Sequence, residues 1–220
     1  PAGEEGPAEA EEPVLFPPEG EDVYLDLLLA IRGQRRAEGA PEGTYRSVRE
    51  AETLQRSSRE QRPLVEAVPG GTVVVHGLAG SGTDLFNQYM GQGGNQLKAG
   101  NFYDARKSYE LARVVDGDNP LASIGLALSS FGAGEPATAG FHLHRAMRTF
   151  PPVMETRFDL PAMMPESRLR KILPDLEKRL ERRADSRLLL LGTFLRHNLG
   201  EEEAAREQAE RLKALSGDDP

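Results

Sequence analysis

The chain has 220 residues, no cysteine, 27 basic against 35 acidic side chains and a formal net charge of −8. Without cysteine there is no disulfide framework, no thiolate nucleophile and no zinc site of the thiolate kind. The acidic balance argues against a nucleic-acid partner, and no apolar run approaches the ~20 residues of a membrane span.

Residues 1–20 are rich in Glu, Ala, Pro and Gly, with apolar side chains only at Ala positions and at Val14, Leu15 and Phe16. Such a composition cannot offset its ordering entropy and predicts a disordered acidic leader, a solvated spacer or a docking tail. Because the chain begins with Pro1 and not Met, an original N-terminus is expected to have been removed or left out, with room there for a signal or anchor. The compartment therefore stays open between cytoplasmic and exported.

Residues 21–82 form a second region of N-terminal helices and an extended linker. Glu21 to Arg32 has helical periodicity, with Val23, Leu27, Leu28 and Ile31 on one side. Arg32, Arg35 and Arg36 follow it, cations suited to a helix C-terminus. Thr44 to Gln61 predicts a polar helix with Thr44 as its N-cap. Thr72 to Val75 is β-branched throughout between glycines and predicts a short strand with no evident partner.

Residues 83–217 carry the organising pattern. Set in two lines, Phe86 to Asn119 lies over Pro120 to Val153. Gly100 then falls over Gly134, Ala105 over Ala139, Tyr109 over Leu143 and Ala112 over Ala146. Small residues where antiparallel helices cross alternate with large ones that plug the next gap, and each glycine ends the first helix of a pair. The predicted helices lie from Leu85 to Ala99, Phe102 to Val115, Leu121 to Gly132 and Pro136 to Phe150. Val153 to Pro165 holds at most a fragmentary helix. Glu166 to Arg183 is helical but divided at Pro174, and the two stretches together are expected to be one eroded repeat. Asp185 to Asn198 and Glu201 to Leu215 form a last pair joined at Gly200, with a charged outer face suited to a cap.

The thirty-four-residue period and the positions of Ala105, Tyr109, Ala112, Ala139, Leu143, Ala146 and Pro151 resemble the tetratricopeptide repeat (TPR) family. The resemblance implies an all-α helix-turn-helix solenoid that binds a peptide or protein in a concave groove lined by the first helix of each pair. On that frame the groove would be lined by Asn87, Met90 and Lys98, then by Leu121, Ile124, Leu128 and Phe131. Where chaperone-binding members hold a carboxylate clamp, this chain has Met90, Gly91, Gly94 and Gly125, so no clamp is expected. The mostly apolar set needs a cover: a bound peptide, the N-terminal helices or a second copy.

Four other patterns stand out. Val73 to Gly82, a strand running into His76-Gly77, resembles the oxyanion strand of α/β-hydrolases, but the only serine candidate, Ser123, lacks its first elbow glycine and lies in a repeat helix. The same stretch imitates a phosphate loop, except that Asp84 stands where a lysine is needed. His142 and His144, two apart on a helix, point to different faces, so no metal site is expected. Met163 and Met164 read as an adaptable contact surface or as gap-filling at an irregular turn.

The reading is a non-catalytic interaction scaffold with an unidentified protein or peptide partner, a possible homo-oligomer, and no cofactor or metal. A small hydrolase built on His76 and a self-associating structural protein are the alternatives.

Overall fold

Two helix pairs of matched length follow from the spacing of the turn residues. A computed structural model describes residues 24, 27, 28, 31, 65–68 and 72–216; the leader over 1–20 and the polar helix expected over 44–61 lie outside the described residues. Helix α1 (Leu85–Lys98) starts at Asp84, whose carboxylate accepts the Asn87 N–H at 2.9 Å. Helix α2 (Phe102–Val115) follows Gly100, which has φ +80°. Helix α3 (Pro120–Ala133) is capped by Asn119, whose Oδ1 accepts the Leu121 N–H at 3.1 Å, with Pro120 in the first turn. It ends at Gly134, φ +87°, before α4 (Pro136–Thr149). The left-handed positions demand glycine at the two places the sequence repeat aligns. Each of the four helices packs on the next.

Tyr109 of α2 explains why the neighbouring helices carry glycine. A Cβ at Gly93 of α1 would lie 2.8 Å from its ring, and one at Gly125 of α3 would lie 2.5 Å away. The ring is wedged between two bare stretches of backbone, fully buried. Phe102 uses Gly132 in the same way, at 2.2 Å.

After α4 the chain departs from the expected order. Pro151–Glu155 forms a 3-10 turn and Thr156–Phe158 a strand. That strand, β3, completes a three-stranded sheet with β1 (Val65–Val68) and β2 (Thr72–Val75). Strands β1 and β2 pair antiparallel, Val65 opposite Val75 and Val68 opposite Thr72; β2 and β3 pair parallel, Val73 beside Thr156 and Val75 beside Phe158. The segment expected to be an isolated strand is thus the middle of a sheet. Two helices follow: the short α5 (Leu160–Met163) packs on α1, and the longer α6 (Glu166–Arg182) packs on α3 and on α7 (Ser186–Asn198). Helix α7 also packs directly on α4, and α8 (Glu202–Ser216) folds back on α7 after Gly200.

Residues 151–183 are therefore a crossover and not an eroded helix pair. Pro174 lies inside α6 without dividing it. Leu169, Ile172, Leu176 and Leu180 bury one stripe on both sides of the proline, and the ring faces solvent, where the carbonyl left without its helical N–H partner can be hydrated.

One hydrophobic core joins all these parts: Leu27 and Ile31, Val73 and Val75, Met90, Phe131, Leu143, Phe158 and Leu195 are buried in it together. Of the amphipathic helix expected from Glu21 to Arg32 only Tyr24, Leu27, Leu28 and Ile31 are described; they are helical, with Leu27 and Ile31 buried in this core and Tyr24 and Leu28 packed against it. The described chain is mainly helical, with one small mixed sheet at its side.

Candidate functional site

The groove residues predicted from the helical frame are in the interior. Every residue from Pro120 to Gly132 is buried, Leu121, Ile124, Leu128 and Phe131 among them. Met90 is buried likewise, and of the seven only Lys98, in the last turn of α1, is exposed. The crossover supplies the cover, because α5 lies on α1 and α6 lies on α3. Arg168 fastens it: its Nε donates to the Gly132 carbonyl at 2.7 Å and its guanidinium sits 5.5 Å from the Phe102 ring. Met163 and Met164 are buried and fill the irregular turn. Asn87 is a local fastener: its Oδ1 accepts the Gly80 N–H at 2.8 Å and its Nδ2 donates to Asp84 at 2.6 Å.

The same bonds settle the phosphate-loop pattern. Asn87, through its backbone N–H first and its side chain second, holds the Asp84 carboxyl below its usual range. An ionised acid therefore sits at the N-terminus of α1, where an anion would have to bind.

His76 acquires a partner that the sequence did not suggest. It follows β2, and Asp159 follows the parallel strand β3, so the two side chains meet at adjacent strand ends with Nδ1 2.9 Å from Oδ2. Asp159 also caps α5, accepting the Ala162 N–H at 3.2 Å through Oδ1, and its own N–H donates to the Val75 carbonyl at 2.9 Å. An imidazole oriented by a carboxylate is one part of an acyl-transfer site, and it lacks the nucleophile weighed with it, since Ser123 is buried inside α3. The bond ties the end of the central strand β2 to the start of α5. Among the described residues no group of His, Asp and Glu has metal-ligand geometry.

The open surface lies on the second helices. Tyr103, Leu111, Val114 and Val115 of α2 are exposed, Val114 by 82% of its surface, and Phe141 of α4 joins them. Around them stand cations: Arg106 pairs with Glu135 at 2.7 Å and lies 5.4 Å from the Tyr103 ring, and Arg187 lies 5.7 Å from the Phe141 ring. Beneath them His142 is buried with its Nδ1 unpartnered. Burial first, then the charges of Arg113, Arg106 and Arg145, lower its pKa from 6.5 to about 4. The signal for this face was in the sequence. Phe102-Tyr103 and Val114-Val115 are adjacent apolar pairs about 100° apart around the helix, and a helix that buries one narrow stripe turns at least one member of each pair outward.

Among the described residues no helix is long and apolar enough to cross a membrane. Compared with protein-family profiles, with curated proteins and with solved structures, the chain matches none.

Proposed function

We propose that this chain is a non-catalytic protein–protein interaction scaffold of TPR-like construction that binds through its outer face. Support for the construction comes from the matched helix pairs, the left-handed glycines Gly100, Gly134 and Gly200, and the succession of α2 on α3 and α4 on α7. Support for the binding face is the exposed apolar stripe Tyr103, Leu111, Val114 and Val115, because the groove side chains Met90, Leu121, Ile124, Leu128 and Phe131 lie in the core. A peptide on the first-helix face would have to displace α5 and α6.

The test is a photo-crosslinking amino acid placed at Val114, with a control at Glu207 on the outside of α8. A discrete adduct formed from Val114 alone, and lost with Tyr103→Ser/Leu111→Ser, is the expected result. Equal adducts from both positions overturn the assignment of the face. An adduct with a second copy of the chain moves the reading to self-association.

The paired His76 and Asp159 favour a second, hydrolytic reading. Turnover of activated esters by the purified protein, abolished in His76→Ala, would replace the scaffold reading with it.

A further inference from the structure

The outer face of α4 is cationic in a protein that is acidic overall. Its fourteen residues include no Asp or Glu, and Phe141, His144, Arg145 and Arg148 fall on one exposed stripe at helical spacing. Arg113 of α2 and Arg187 of α7 flank it. Among the described residues none of Arg113, Arg145, Arg148 and Arg187 makes an ion pair. Two carboxylates at the ends of the neighbouring helices are already engaged. Glu135 holds Arg106, and Asp185 caps α7 by accepting the N–H groups of Arg187 and Leu188. A face of this kind has an anionic counterpart somewhere.

The sequence supplies one. Residues 1–22 contain Glu4, Glu5, Glu9, Glu11, Glu12, Glu19, Glu21 and Asp22 and not one Lys or Arg. The three consecutive apolar residues Val14, Leu15 and Phe16 interrupt the acids. Two residues beyond this segment the Tyr24 ring packs edge-on against Phe150, the residue that ends α4, with centroids 5.5 Å apart. Tyr24 and the C-terminal end of the cationic stripe are thus neighbours. An extended chain of 22 residues reaches about 70 Å, while α4 is about 21 Å long, so length imposes no limit.

We propose that residues 1–22 of this chain dock on the outer face of α4, their carboxylates set against Arg145, Arg148 and Arg113 and their apolar residues covering Phe141. Docking is held by charge and by one apolar anchor, so it is salt-sensitive and yields to a stronger acidic competitor. This inference stands apart from the scaffold reading, since it concerns the chain alone.

The absence of cysteine makes the test clean. Spin labels on an Ala10→Cys/Ala137→Cys pair in the full chain report the distance from the leader to the start of α4 by pulsed dipolar spectroscopy. An Ala10→Cys/Ala214→Cys pair reports the distance to α8 for comparison. The expected result is a compact population within about 30 Å for the first pair only, set by the length of the helix. It should fall at least about threefold at 1 M salt, where the screening length drops to ~3 Å. Arg145→Glu/Arg148→Glu should abolish the population, and adding Glu9→Lys/Glu11→Lys/Glu12→Lys to that variant should restore it. Restoration also answers for any loss of folding in the helix variant, as does the reversal of the leader charges alone, which touches no packed residue of the described fold. A broad distribution indifferent to salt and to both reversals overturns the proposal and leaves the face to another acidic partner. A short distance that vanishes on dilution with unlabelled protein overturns it as well, by placing the leader on a second copy.

Discussion

Helices α3 and α4 are neighbours of equal length, and both open with a proline, yet they meet opposite surroundings. In α3 no residue is charged and every position from Pro120 to Gly132 is buried. In α4 the inner stripe of Ala139, Leu143 and Ala146 is buried, while Phe141, His144, Arg145 and Arg148 face outward. An amphipathic helix needs one covering neighbour, and a helix apolar all round needs cover on every side. The crossover from residue 151 to residue 183 supplies the missing side for α3. Among the described residues the comparison separates a covered side from an uncovered one, and the uncovered side is the outer face of α2 and α4.

The sharpest way to break this contrast is to place charge on the covered side. Ile124→Glu or Phe131→Glu puts an unpaired carboxylate in the core at a cost above about 4 kcal/mol each, enough to remove the cooperative unfolding transition seen by circular dichroism. If either variant unfolds with the parent's urea midpoint, the first-helix face is open and the burial argument fails. Gly125→Ala is the next largest. It gains ~1 kcal/mol in helix propensity but drives a methyl group into the Tyr109 ring, which Gly93 blocks from the other side. Overpacking of this kind costs about 1–3 kcal/mol, so a net loss is expected in denaturant titration. Gly94→Ala meets only the Tyr109 hydroxyl, at 3.9 Å, and should be neutral or stabilising by up to ~1 kcal/mol. Similar midpoints for the two alanine variants would refute the wedge.

His142 lies between the two sides. Its folded pKa, about 4, is below its unfolded value of 6.5, so the unfolded chain binds the proton first as pH falls. Its contribution to stability is fully present above pH 6.5 and is lost on descending from there to about 4. The difference in urea midpoint between pH 7 and pH 5 should shrink in His142→Leu. An unchanged difference assigns the pH dependence to other groups. The smallest effect belongs to the outer stripe, where Leu111→Ser and Val114→Ser should each alter stability by no more than about 0.5 kcal/mol. A larger loss from either would mean that the stripe is packed after all.

Much of the helical body was legible because its signals are local. Asp84 and Asn119 as caps, Pro120 and Pro136 in first turns, and Gly100 and Gly134 past the ends all act within a few residues. Of the sheet only β2 was read from the sequence. Its partner β1 was missed although Pro69-Gly70-Gly71 separates the two as a hairpin turn would, and β3 is three residues long and owes its conformation to β2 beside it. At α3 a fourteen-residue stretch without a single charge signals cover on every side, and the side chains placed in a groove on the helical frame are buried there. The His76–Asp159 pair joins residues 83 positions apart, beyond the reach of any pattern read along the chain.

What the sequence determined by itself is therefore the set of helices, their caps and turns, the small residues that admit Tyr109 and the charge that separates the leader from α4. These depend on backbone preference and on spacing along a single element. Which face is closed was decided only by the tertiary structure. The path of residues 151–183 over α1 and α3 is selected by long-range burial, a parallel strand pairing and Arg168 reaching Gly132, and none of these contacts lies within one turn or one hairpin of its partner.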